Sequence, residues 1–185
     1  MLDQTEPALL LAAPGTDWAL VHSPAVPVLV IERAPPLDPA SALAAGTVTG
    51  VWRFAGSPEA VRAALPGLPL ALAADIHDLA RRFAALAGRP TVRVRLEAVD
   101  GDACRRFHAD YTDLRLVTTY AGPGTDIRTT TAQDAPVHRI RAGDIALFKG
   151  RLFPGEPPVL LHRSPPIEGT GERRIVLVLD TPGAD

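Results

Sequence analysis

Near residue 90 the chain changes its hydrophobic period, and no other feature of the sequence constrains the fold as strongly. Before that point Leu72, Ile76, Leu79, Phe83 and Leu86 recur at i, i+4, i+7, i+11 and i+14. This spacing lays one apolar stripe along a helix and predicts that helix over Leu70 to Ala87. Gly88 and Pro90 then end it, as a C-cap glycine and a trailing proline do. After that point Val92, Val94, Leu96 and Ala98 alternate with Arg93, Arg95 and Glu97, which is the pattern of a strand with one wet face.

Further short strands are expected at Leu114 to Tyr120, Val137 to Ile140, Asp144 to Phe148, Val159 to His162 and Arg173 to Leu179. Turns at Gly122-Pro123-Gly124, Gly143-Asp144, Pro154-Gly155 and Gly169-Thr170-Gly171 separate them. Such punctuation implies an antiparallel sandwich or barrel rather than βαβ units. Upstream, Pro27 to Ile31 and Val51 to Phe54 read as strands, and Ser57-Pro58 as a helix start. The expected class is α+β. Residues 1–90 form an α-rich flank packed on a β core of residues 91–185, and one structural domain suits a length of 185.

Charge and cysteine content exclude several functions. The 19 basic residues are balanced by 21 acidic ones, so no large positive field is available to grip a nucleic-acid backbone. No apolar run reaches the roughly 18 residues of a membrane span. The run from Ala8 to Ala13 follows Asp3 and Glu6 rather than a basic segment, so a secretory signal is not expected. The single cysteine, Cys104, rules out a disulfide framework and makes a reducing cytoplasm the expected location.

Chemistry gathers around His108-Ala109-Asp110. On extended chain, residues two apart point to the same side, so imidazole and carboxylate can grip one cation. His162, 54 residues after His108, is the candidate third ligand. Two histidines and a carboxylate form the facial triad that holds non-haem Fe(II) and leaves coordination positions open. The same donors also serve zinc.

These residues resemble the HxD…H signature of the Fe(II)/2-oxoglutarate-dependent oxygenases. That resemblance implies a double-stranded β-helix (jelly roll) with flanking N-terminal helices, hydroxylase-type dioxygenase activity on an unidentified substrate, and Fe(II) with 2-oxoglutarate as cofactors. It also implies an arginine for the distal carboxylate of 2-oxoglutarate, at Arg173 or Arg174. Strand alternation alone does not choose between the two. The stretches Cys104 to Asp110, Thr119 to Thr125 and His162 to Pro166 additionally resemble a small uncharacterised bacterial domain family linked to metal homeostasis. On that resemblance the alternative is a cupin-like metal-binding protein without enzymatic activity, holding zinc or another divalent ion.

Thr118 and Tyr120 are candidates for the cosubstrate pocket, although Tyr120 suits core packing equally well. Cys104 is either a zinc ligand beside His108 and His162 or a buried inert thiol, with the thiol reading favoured. His77 and His138 read as structural or exposed, and His22, beside Pro24, carries no signal. The Pro-rich stretch from Pro154 to Pro166 is either a stiff rim over the metal or a plain connection.

Overall fold

The computed structural model of the chain describes residues 9–102, 104–132, 134–155 and 160–182. Ten strands occur among them: β1 (Leu10–Ala12), β2 (Val28–Ile31), β3 (Val51–Gly56), β4 (Val92–Val99), β5 (Leu114–Ala121), β6 (Asp126–Arg128), β7 (His138–Arg139), β8 (Ile145–Lys149), β9 (Leu161–Arg163) and β10 (Arg174–Asp180). Two α-helices, α1 (Pro39–Ala44) and α2 (Leu70–Ala87), accompany them. A seven-stranded sheet runs β1-β2-β8-β5-β10-β4-β3, and a three-stranded sheet runs β7-β6-β9. Every pairing is antiparallel except β1 with β2.

Helix α2 spans the predicted residues. Its stripe is buried through Leu72, Ile76, Leu79 and Phe83, each worth about 1.5–3 kcal/mol of burial. Gly88 takes the left-handed conformation, φ 62°, that closes the helix. Asp75 pins the helix to the sheet. It takes both guanidinium prongs of Arg33 and a hydrogen bond donated by the Tyr120 hydroxyl at 2.7 Å.

The large sheet is apolar on both faces, and period two sorts its residues into two cores. Leu29, Ile31, Leu116, Tyr120, Ile145, Leu147, Leu177 and Leu179 pack toward α2. Val28, Val30, Val117, Ala146, Phe148, Val176 and Val178 pack with Ile127, Ile140 and Leu160, between the two sheets. Helix, large sheet and small sheet are thus stacked layers, the arrangement expected of a jelly roll with outer helices.

The first ninety residues, read above as an α-rich flank, also supply β1, β2 and β3 to the large sheet. The change near Thr91 is therefore a change of period and not a boundary between layers. The helix expected at Ser57 is a short 3-10 turn, Pro58–Ala60, without a side-chain cap. Val159, the expected start of its strand, lies outside the described residues, as do residues 156–158 of the Pro-rich stretch.

Candidate metal centre

Strand β9 places His162 between the sheets. Its backbone pairs with Ile127 of β6 on one side and bridges to His108 on the other, through hydrogen bonds of 3.0 and 2.9 Å. The two imidazoles meet with ring centroids 4.7 Å apart, and Phe148 of the large sheet packs against His162 at 4.8 Å. Two residues beyond His108, the Asp110 carbonyl accepts from the Arg151 backbone N–H at 2.8 Å. Asp110 therefore turns into the same space.

One potential ligand atom from each of His108, Asp110 and His162 lies within 4.8 Å of the others. The ring Nδ1 of His108 faces the Arg106 carbonyl at 2.8 Å. A carbonyl can only accept, so Nδ1 carries the proton and Nε2 presents its lone pair. That Nε2 lies 3.5 Å from Asp110 Oδ1, and His162 Nε2 lies 3.1 Å from Asp110 Oδ2. Two imidazole nitrogens this close to a carboxylate are favourable only with a cation between them, either a proton or a metal.

The Asp110 carboxylate is prepared asymmetrically. Arg115 of β5 holds Oδ1 at 2.5 Å and grips Asp180 of β10 through two further contacts of 2.6 and 2.9 Å. Oδ2 is buried and has no hydrogen-bond partner. Burial opposes ionisation of Asp110, but His108, His162 and Arg115 outweigh it and hold the carboxyl well below the usual carboxylate range. In turn, the hydrogen bond to Asp110 raises the pKa of His108. With Oδ1 anchored by Arg115, Oδ2 is the oxygen left for a cation. The donor set fits a divalent cation such as Fe(II).

Arg174 and Arg173 separate cleanly. Arg174, at the start of β10, is 1% exposed, whereas Arg173 is exposed. The Arg174 guanidinium donates to the hydroxyls of Ser164 at 2.8 Å, Thr119 at 3.2 Å and Thr125 at 3.3 Å, and its Nε has no partner. No carboxylate pairs with it among the described residues. Burial accordingly lowers its pKa to about 10. Arg174 lines a cleft of about 70 Å³ together with His108, His162, Thr125, Ser164 and Val176. A buried guanidinium without an ion-pair partner, beside a metal-ligand cluster, has the geometry to take a carboxylate.

Thr118 and Tyr120 do not line that cleft. They face α2, where Tyr120 bonds Asp75 and Thr118 donates to the Gly143 carbonyl at 3.4 Å. Thr119 lies on the opposite face of β5, that of Val117, and its hydroxyl accepts from Arg174. Cys104 is exposed rather than buried and stands outside the ligand group. His77 lies on α2, His138 is exposed on β7, and His22 stacks on Phe153. Sequence reasoning missed Arg115, Thr119, Thr125 and Ser164. Only Ser164 carried a local signal, lying two residues after His162 on extended chain.

Residues 17–180 match the family model described as Protein of unknown function (DUF1826). The chain belongs to that family. Comparison with curated proteins gives no match. Among solved structures, this DUF1826 chain is similar to the dioxygenase for auxin oxidation of rice, with a TM-score of 0.54, 12% identity, and coverage of 94% of this chain and 82% of that one. It is similar to the Arabidopsis thaliana dioxygenase for auxin oxidation 1 in its 2-oxoglutarate complex, with a TM-score of 0.54, 12% identity, and coverage of 96% and 95%. It is also similar to JOX2 in complex with 2OG, Fe and JA, with a TM-score of 0.57, 10% identity, and coverage of 96% and 75%. The shared feature is the fold, the double-stranded β-helix of 2-oxoglutarate oxygenases. No described helix of the family member is long and apolar enough to cross a membrane.

Proposed function

We propose that this protein is a non-haem Fe(II)/2-oxoglutarate-dependent oxygenase of the hydroxylase type. His108, Asp110 and His162 would hold the iron, and Arg174 would receive the distal carboxylate of 2-oxoglutarate. Arg174 carries the reading. A bare zinc or carrier site needs three ligands and nothing more, whereas a buried cation without a carboxylate partner needs an anion. The one cysteine of the chain and a readily oxidised Fe(II) both suit a reducing cytoplasm.

When bound, Fe(II) and 2-oxoglutarate together supply the power to activate O2 for attack on a C–H bond. The chain's own residues supply the placement. Arg115 anchors Oδ1 of the Asp110 carboxylate, and the Arg106 carbonyl fixes the His108 tautomer. Ser164, Thr119 and Thr125 orient the guanidinium without neutralising it. Val176 and Val178 of β10 give the cleft its apolar lining.

The test of the metal site is iron content after anaerobic reconstitution. Wild type is expected to retain one Fe(II) per chain, and a His108→Ala/His162→Ala variant none. Full iron retention by that folded variant would remove these residues from the site.

A further inference from the structure

The large sheet extends past the small one at its β4-β3 edge, and the uncovered part of its inner face is rich in arginine. A cleft of about 620 Å³ there is lined by Arg53, Arg93, Arg95 and Arg115, with Tyr111 and Asp180 beside them. That volume is the size of a small-molecule site. The cleft adjoins the metal centre, because Arg95 and Arg115 line both spaces and Tyr111 follows Asp110 directly.

The charges in this cleft are not matched. Arg53 and Arg95 sit directly opposite each other across β3 and β4, where like charges destabilise the pairing. Arg95 is offset by Glu97 at 3.1 Å, and Arg115 is taken up by Asp110 and Asp180. Arg93 donates to the Thr181 carbonyl, and neither it nor Arg53 makes an ion pair among the described residues. A chain with formal net charge −2 has no general excess of positive charge to account for this. Tyr111 stands at the rim, 75% exposed, with the Arg151 guanidinium over one face of its ring and the other open to the cleft.

We infer that the Arg53–Arg93–Arg95 cleft binds the substrate, and that the substrate is a small organic anion bearing a carboxylate or a phosphate. This rests on the oxygenase reading for its chemistry, but the anion site stands on the arginines alone. The anionic group would sit between Arg53 and Arg95, relieving their repulsion, while the carbon skeleton extends past Tyr111 toward the triad. A polyanion is a poor fit, because the positive charge is confined to one small cleft.

The test uses the full chain loaded with Fe(II) and 2-oxoglutarate under anaerobic conditions. Benzoate, phenyl phosphate and neutral benzamide serve as probes in calorimetric titration. Wild type is expected to bind one of the two anions at least tenfold tighter than benzamide, and the tighter anion identifies the group. Arg53→Gln/Arg93→Gln, which leaves Arg95 and the metal-centre cleft intact, should abolish that preference while keeping the visible Fe(II)–2-oxoglutarate signature. Equal binding of all three probes by wild type, no binding at all, or an unchanged preference in the variant would overturn the inference. Anion preference in a wild type that lacks the iron signature would sink the oxygenase reading and leave the anion cleft standing.

Discussion

Asp110 and Arg174 illustrate how much is decided by single polar atoms in a low-dielectric interior. Arg115 engages one oxygen of Asp110 and leaves the other buried without a partner. Asp110→Asn keeps the shape but removes the charge, so Fe(II) affinity should fall by a factor of ten or more while the fold persists. Iron titration with circular dichroism on the same samples checks both halves. Arg174→Gln removes a cation that only hydroxyls contact. Iron binding should survive, and 2-oxoglutarate affinity should fall by at least tenfold, the equivalent of about 1.4 kcal/mol. Because an unneutralised buried charge is itself costly, Arg174→Gln is also expected to leave the cofactor-free protein no less stable. Thermal melts without ligands test that sign.

At the scale of elements, close approaches of backbone position the site. Gly122 has φ 80°, and a Cβ there would stand 2.0 Å from the Arg173 carbonyl oxygen. Gly122→Ala must push apart the β5–β6 turn and the start of β10, displacing Arg174. It should destabilise the protein by roughly 2 kcal/mol or more and weaken 2-oxoglutarate binding alongside. Asp102 ties the loop before His108 to the loop after His162 by accepting from the backbone N–H groups of Glu168 and Ile167. These hydrogen bonds, that of Glu168 foremost, hold its pKa below the usual value. A depressed carboxyl contributes stability above its ordinary pKa, about 4, and loses it as the pH falls from there. The metal-free protein should therefore loosen around residues 102–108 below about pH 4, as hydrogen exchange would register, and Asp102→Ala should show the same loosening at neutral pH.

Elements also differ in how far the sequence discloses them. Helix α2 and strand β4 each keep one wet face, so their periods are visible, and both spans were legible. Strand β5 is buried along nearly its whole length, which erases the alternation and hides that Thr119, not Thr118, turns toward Arg174. Arg173 and Arg174, adjacent at the start of β10, were undecided until the register of β10 against β4 and β5 placed Arg174 inside. His108, Asp110 and His162 were legible because metal chemistry limits the residue types. Their supporters Arg115, Thr119 and Thr125 were not, since they come from other strands and contact the site only through the fold.

On the scale of the whole molecule, the stacked layers divide the labour. The α2-facing core supplies stability, and Phe83→Ala there should cost about 3–5 kcal/mol without changing iron stoichiometry. The inter-sheet core is smaller and carries the polar residues of the site, so ligands should stabilise it by mass action. At a hundredfold excess over its dissociation constant a ligand adds about 2.7 kcal/mol, so joint addition of Fe(II) and 2-oxoglutarate should raise the melting temperature. The central claim is that the triad and Arg174 act together on one cofactor pair. Anaerobic addition of 2-oxoglutarate to the Fe(II)-loaded protein tests it most directly, through the weak visible charge-transfer band of the iron chelate. The band should develop in wild type to one equivalent and be absent from Arg174→Gln at the same concentration. Iron bound to wild type with no spectral change on adding 2-oxoglutarate would contradict the claim.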